Sequence, residues 1–189
     1  MKKVLFFIYA IIITQLLTAQ APAIEWQNTI GGNDYEYLYA VEQTTDGGYI
    51  LGGESRSELN GDKTEVNVGS TSSCDFWVVK ISLTGSIEWQ NTIGGTGQDH
   101  LYSIKQTSDG GYILGGNSTS GINGDKTEAY FGGSFDGDCW VRKVNSAGSI
   151  EWQNTIGGPD EDKLKSIIQT NDGGYLLGGW SDSDISVDK

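Results

Sequence analysis

Apolar and polar residues alternate along this chain with a period of two. In the run from Ile87 to Ile93, Ile87, Trp89 and Ile93 fall on one side while Glu88, Gln90 and Thr92 fall on the other. That alternation predicts a β-strand with one buried face, and Gly94-Gly95 ends it. Leu101 to Thr107 reads as a second strand. Tyr112 to Gly116, apolar on both faces, reads as a central return strand, and Trp140 to Val144 as a further one. Asp109-Gly110 predicts a tight hairpin between the second strand and the return strand, since both residue types tolerate the positive φ such a turn requires. No segment sustains apolar spacing at three and four residues, so no helix of consequence is expected.

The pattern recurs every 63 residues. The string I-E-W-Q-N-T-I-G-G begins at Ile24, Ile87 and Ile150, and T-x-D-G-G-Y-[IL]-L-G-G begins at Thr44, Thr107 and Thr170. D-x-W-V-x-K occurs at Asp75–Lys80 and Asp138–Lys143. A fixed period of this length indicates one supersecondary unit stacked on copies of itself. Four antiparallel strands per period is the unit of a β-propeller blade. The expected fold is therefore all-β, with four-stranded antiparallel blades in 63-residue repeats forming a partial β-propeller. The expected divisions are a signal peptide at 1–21, an orphan outer strand at 24–32, blades at 33–95 and 96–158, and an incomplete blade at 159–189. About two and two-thirds repeats fall short of a closed ring, so the chain reads as a truncated stretch of a longer protein. Five of the six tryptophans recur at two repeat positions, which predicts anchors packed between blades, with Trp89 and Trp152 largely buried. Long connections at 54–74 and 117–137 each carry N-G-D-K-T-E and should emerge on one face.

These motifs together, from Ile24 to Lys189, resemble the secreted bacterial repeat proteins of predicted β-propeller fold, many of which are type IX secretion cargo with a C-terminal sorting domain. No sorting domain is present in this sequence. The resemblance implies architecture and surface location rather than a reaction. A weaker likeness links Thr107-Ser108-Asp109-Gly110-Gly111 to the first half of the Asp-box of sialidase-type propellers. Ile113 and Leu114 stand where that box ends in Thr-Trp, and no sialidase activity follows.

Lys2 and Lys3, the apolar run from Val4 to Ile13, and Ala19-Gln20-Ala21 have the order of a cleaved export signal, too short for a comfortable membrane span. The protein is expected to be secreted or held at the outer cell surface, with no membrane insertion once the signal is removed. The formal net charge is −13, and more negative still without Lys2 and Lys3. Such a surface repels phosphate backbones, which argues against nucleic-acid partners. Cys74 corresponds to Gly137 in the repeat and Cys139 to Phe76, whereas a built-in bridge would recur at one position. Two thiols alone do not make a four-ligand metal site.

Catalysis requires a positioned base, nucleophile or metal. His100, the one histidine, shares its repeat position with Tyr37 and Lys163, which reads as a solvated rim site. Asp160 and Asp162 could form a glycosidase-like pair but read as solvated loop acids. No catalytic residue is therefore assigned, and the chain is read as non-enzymatic. No cofactor is expected; structural calcium is the one ion the residues leave open, because hard oxygen donors on Gly-rich loops suit it. Glu36, Asp99 and Asp162 share one repeat position and Asp62, Asp125 and Asp188 another; Asp62, Asp125, Asp182 and Asp184 are the candidate ligands. The competing reading is that Asp62 and Asp125 shape a turn through side-chain to backbone hydrogen bonds.

The function expected is an extracellular or cell-surface binding or adhesion module whose partner is a glycan or protein. The long-loop face, with the aromatics Tyr130, Phe131 and Phe135, is the expected contact surface. The central channel is the alternative place for a site. The rival functions are the non-catalytic part of an exported polysaccharide-active hydrolase or lyase, and a purely structural spacer.

Overall fold

A computed structural model describes residues 21–70, 72–133 and 137–184. The N-terminal segment 1–20, Phe135 and Asp188 lie outside the described residues. Among the described residues there are ten strands and no helix, arranged in three antiparallel sheets. The first sheet has the order β1 (Glu36–Gln43), β2 (Tyr49–Ser55), β3 (Asp75–Ile81), β4 (Ile87–Ile93). The second runs β5 (Asp99–Gln106), β6 (Tyr112–Ser118), β7 (Asp138–Val144), β8 (Ile150–Ile156). The third pairs β9 (Asp162–Gln169) with β10 (Tyr175–Ser181).

The sheets stack face to face. Phe76 and Val78 of the first sheet meet Leu101, Ile104, Leu114 and Trp140 of the second. The opposite face of the second sheet, through Ile113 and Val141, meets Leu164 and Ile167 of the third. The remaining face of the first sheet, Trp77, Val79 and Ile81, is covered in part by Ile30. Covered on both sides, β6 is buried at all seven positions, the cost of its two apolar faces being met by two neighbours.

The repeated letters have physical roles. In the β5–β6 hairpin, Thr107 to Gly111 form the loop, and Gly110 takes φ +84°. Asp109 acts through its side chain rather than its backbone freedom. Its carboxylate accepts from the Thr107 hydroxyl (2.6 Å) and the Gly111 amide (2.9 Å). Lys143, buried on β7, then joins Asp109 (3.0 Å) to Glu151 (2.9 Å). In the first sheet, Lys80 joins Asp46 to Glu88 in the same way. One ion cluster thus ties the D of D-G-G, the K of W-V-x-K and the E of I-E-W. The Thr hydroxyl, the following amide and the lysine hold the Asp46 and Asp109 carboxyls down at about 2. Burial alone would lower Lys80 and Lys143, but their paired carboxylates outweigh it and raise both.

The long connections turn back on the sheets. The backbone amide of Thr92 on β4 donates to Glu65, and that of Thr155 on β8 donates to Glu128 (2.6 Å). The N-G-D-K-T-E segment is therefore a strap over the outer strand, satisfying amides that an open sheet edge would expose. Lys126 lies buried beneath it, donating to Thr155 (2.6 Å) and sitting 5.1 Å from the Trp140 ring centroid.

Trp26, Trp89 and Trp152 each meet a tyrosine of the following sheet edge-on: Tyr49, Tyr112 and Tyr175 at 6.1, 5.8 and 5.5 Å. Residues 24–32 carry no strand, yet Trp26 and Asn28 dock on the first sheet as Trp89 and Asn91 dock on the second. The expectation that Trp89 and Trp152 are largely buried needs correction. Trp89 is half-buried and Trp152 is 39% exposed. The turn at Gly148 roofs Trp89, whereas the third sheet has no corresponding hairpin over Trp152 among the described residues.

Candidate functional site

The first strands of the three sheets, β1, β5 and β9, lie side by side. Each carries a β-bulge at the same repeat position, where the register skips Tyr39, Tyr102 and Lys165. A bulge re-aims a side chain out of the regular pleat. The second glycine of each Y-[IL]-L-G-G motif makes room for it. A Cβ on Gly116 would fall 1.9 Å from the His100 carbonyl oxygen, and one on Gly53 1.9 Å from that of Tyr37. No side chain fits there.

The result is a ribbon of rings. Tyr35 stacks on Tyr37 (6.3 Å), Tyr37 on Tyr39 (6.2 Å), and Tyr39 tilts against Tyr102 (5.2 Å). Tyr102 in turn stacks on His100 (6.2 Å), and the Lys165 ammonium stands 3.5 Å from the Tyr102 ring centroid. Tyr35, Tyr37 and Tyr39 are about half exposed, between 48% and 60%. Burial, followed by the nearby charge of Glu54, pushes the Tyr102 hydroxyl up to about 12.

Behind the ribbon, at the seam of the first and second sheets, His100 meets two buried side chains. Its Nδ1 lies 2.5 Å from Glu54 Oε2 and 3.4 Å from Cys74 Sγ. Burial opposes a charge on the imidazole, but Cys74 and Glu54 outweigh it and raise His100 to about 10. The Cys74 thiol and amide both donate to Gln98 Oε1, at 3.0 and 3.2 Å. A cavity of about 330 Å³ opens beside this group, lined by His100, Tyr102, Gln98, Asn117, Thr119 and Lys163 among others. His100 is about as exposed as its repeat partner Lys163, 31% against 28% of the side chain, and Tyr37 is half exposed; what sets His100 apart is its buried partners Glu54 and Cys74, where Lys163 pairs with Glu161.

The other residues singled out from the sequence fall elsewhere. Asp62 and Asp125 each make a reciprocal clamp: the Asp125 amide donates to the Gly94 carbonyl (2.8 Å), and the Gly94 amide to the Asp125 carboxylate (3.1 Å). Asp62 and Gly31 do the same. These contacts are those of the turn-shaping alternative. Asp182 and Asp184 are exposed after β10. Among the described residues, the ligating atoms of Asp62, Asp125, Asp182 and Asp184 are not gathered with any two further acidic, His or Cys side chains. Tyr130 is half-buried, and Phe131 is exposed with its amide held by Asp138 (2.6 Å). Neither joins the ribbon by a ring contact among the described residues. Cys74 and Cys139 are not joined in a disulfide.

Sequence reasoning missed Glu54 and Cys74 as partners of His100. The signal lay in the departures from the repeat: Glu54, Cys74 and His100 stand where the next copy has Asn117, Gly137 and Lys163. No protein-family model matches the chain, and no curated protein matches it significantly.

Proposed function

We propose that the chain is a β-propeller-type repeat module, exported to the cell surface, that binds carbohydrate without transforming it. The observation that carries this reading is the ribbon Tyr35, Tyr37, Tyr39, Tyr102 and His100, three of whose rings are half open to solvent. In a propeller the first strand of each blade borders the central channel, so the ribbon would line it. Flat rings about 6 Å apart offer successive platforms for sugar faces. Backbone bulges and glycine contacts hold the rings in place before ligand arrives, which lowers the entropic cost of binding. The neighbouring Lys163, Lys165, Gln98 and Asn117 supply hydrogen-bond donors for hydroxyl or acidic substituents. The export signal at 1–21 and the acidic surface agree with an extracellular setting.

A glycan array with the secreted chain tests the reading. Tyr37→Ala and Tyr39→Ala together should weaken the strongest array signal about tenfold or more, at unchanged circular dichroism. Binding that survives this pair but is lost in Tyr130→Ala/Phe131→Ala would move the contact surface to the long loops. Absence of any glycan signal would defeat the carbohydrate reading.

A further inference from the structure

We propose that Glu54, Cys74 and His100 form a binding site for a zinc-class divalent cation at the seam between the first and second sheets. The three residues come from separate elements: Glu54 from β2, Cys74 from the residue before β3, and His100 from β5. Their ligating atoms all lie within 4.8 Å of one another, and no other set of three His, Cys, Asp or Glu side chains among the described residues does so.

The arrangement converges on a point instead of forming a relay. Glu54 Oε2 and Cys74 Sγ both approach Nδ1, at 2.5 and 3.4 Å, while Sγ stands 4.0 Å from Nε2. A thiol–imidazole–carboxylate relay would seat the acid and the thiol on opposite ring nitrogens. Three donors around one point is instead what a tetrahedral cation takes, since bonds of about 2.0–2.3 Å set its ligand atoms about 3–4 Å apart. An ion entering here displaces two protons to solvent, the one shared by the imidazole and Glu54 and the one on the Cys74 thiol, and spreads His100 and Glu54 slightly. Thiolate, imidazole and carboxylate together suit a borderline-soft ion, whereas calcium and magnesium take oxygen donors.

A cavity and a backbone clasp flank the three residues. His100 lines the neighbouring cavity, which Asn117 borders from the second seam. Gln98 accepts from the Cys74 amide (3.2 Å) and donates to the Ser72 carbonyl (3.1 Å), which fixes the backbone presenting the sulfur; its bond from the thiol hydrogen is given up when the thiolate takes an ion. Three protein ligands leave a fourth position for water or a ligand atom, and one of the three, His100, lines the cavity. The proposal rests on this geometry alone and is independent of the carbohydrate reading.

The test is metal analysis of the full chain after incubation with zinc and desalting, alongside cobalt titration followed by absorption. Wild type should retain a single zinc per chain and show a thiolate-to-cobalt charge-transfer band. Glu54→Asn, Cys74→Gly and His100→Lys each install the residue carried by the neighbouring seam, so the backbone frame is preserved. Each should weaken cobalt binding by about a hundredfold or more, since even an outer-layer partner is worth 10–100-fold. Cys139→Ser should leave the band intact. Wild type that emerges metal-free would overturn the proposal. So would a charge-transfer band that persists in Cys74→Gly or vanishes in Cys139→Ser.

Discussion

The two seams between sheets share a frame and differ in chemistry. At the first, the Asp99 amide donates to the Cys74 carbonyl (2.8 Å) and the Asp99 carboxylate accepts from the Gly95 amide (2.7 Å). At the second, Asp162 makes the same two bonds to Gly137 (2.9 Å) and Gly158 (2.7 Å). The edge-on Trp–Tyr pair and the bulged first strand also recur. Within that frame the first seam holds Glu54, Cys74 and His100, and the second holds Asn117, Gly137 and Lys163. Positions that recur build the backbone; positions that break the repeat set what the molecule can hold.

The seams also differ in how fully they are packed, and the largest expected effect follows from that. At the first seam Trp140 is fully buried, tilted against Phe76 at 5.1 Å, and Trp89 is half-buried; at the second, Trp152, the repeat counterpart of Trp89, is 39% exposed and no counterpart of Trp140 stands over it among the described residues. Trp140→Ala should cost about 3–5 kcal/mol and Trp152→Ala clearly less, about 1–2 kcal/mol. Urea unfolding measures both, and equal losses would break the asymmetry.

Strands and hairpins were legible because period-two alternation and Asp-Gly turns are local signals. The all-β class follows from them. The burial of Lys126 was not legible, because its N-G-D-K-T-E setting looks like a solvated loop until Glu128 is seen strapping it to β8. The exposure of Trp152 is not legible for a different reason: its cover depends on the next sheet, where no hairpin among the described residues corresponds to the one that roofs Trp89. The Glu54–Cys74–His100 group was hidden because its members come from two repeats and three elements. His100 was read through Tyr37 and Lys163, and a position that tolerates three residue types looks unconstrained. The contacts that constrain His100 are made by Glu54 and Cys74, neither of which its repeat partners share.

A smaller effect sharpens the comparison from the hairpin side. Asp46 and Asp109 are each joined to a buried lysine, while Asp172 in the third sheet has only its Thr170 and Gly174 donors among the described residues. Both lysine-joined carboxyls are held at about 2, below an unfolded value of about 4. Their stabilisation is therefore present above about pH 4 and lost as pH falls toward 2. Both side chains are 58% exposed, so screening limits the gain to under about 1 kcal/mol each. Asp109→Asn should flatten the acid limb of the stability profile between those pH values, and Asp172→Asn should flatten it less. An unchanged limb in Asp109→Asn would show that the lysine pairing adds nothing.

The separation of frame from chemistry is tested most directly by moving the chemistry. Asn117→Glu, Gly137→Cys and Lys163→His together would rebuild the first seam's side chains on the second. A Cβ at 137 would sit 3.2 Å from the nearest atoms, so a cysteine fits after a small adjustment. Cobalt titration of this triple variant, followed by the thiolate charge-transfer band, counts the sites. The account predicts twice the cobalt of wild type at saturation, with a band about doubled in intensity. A folded variant that still binds only as much cobalt as wild type would contradict it.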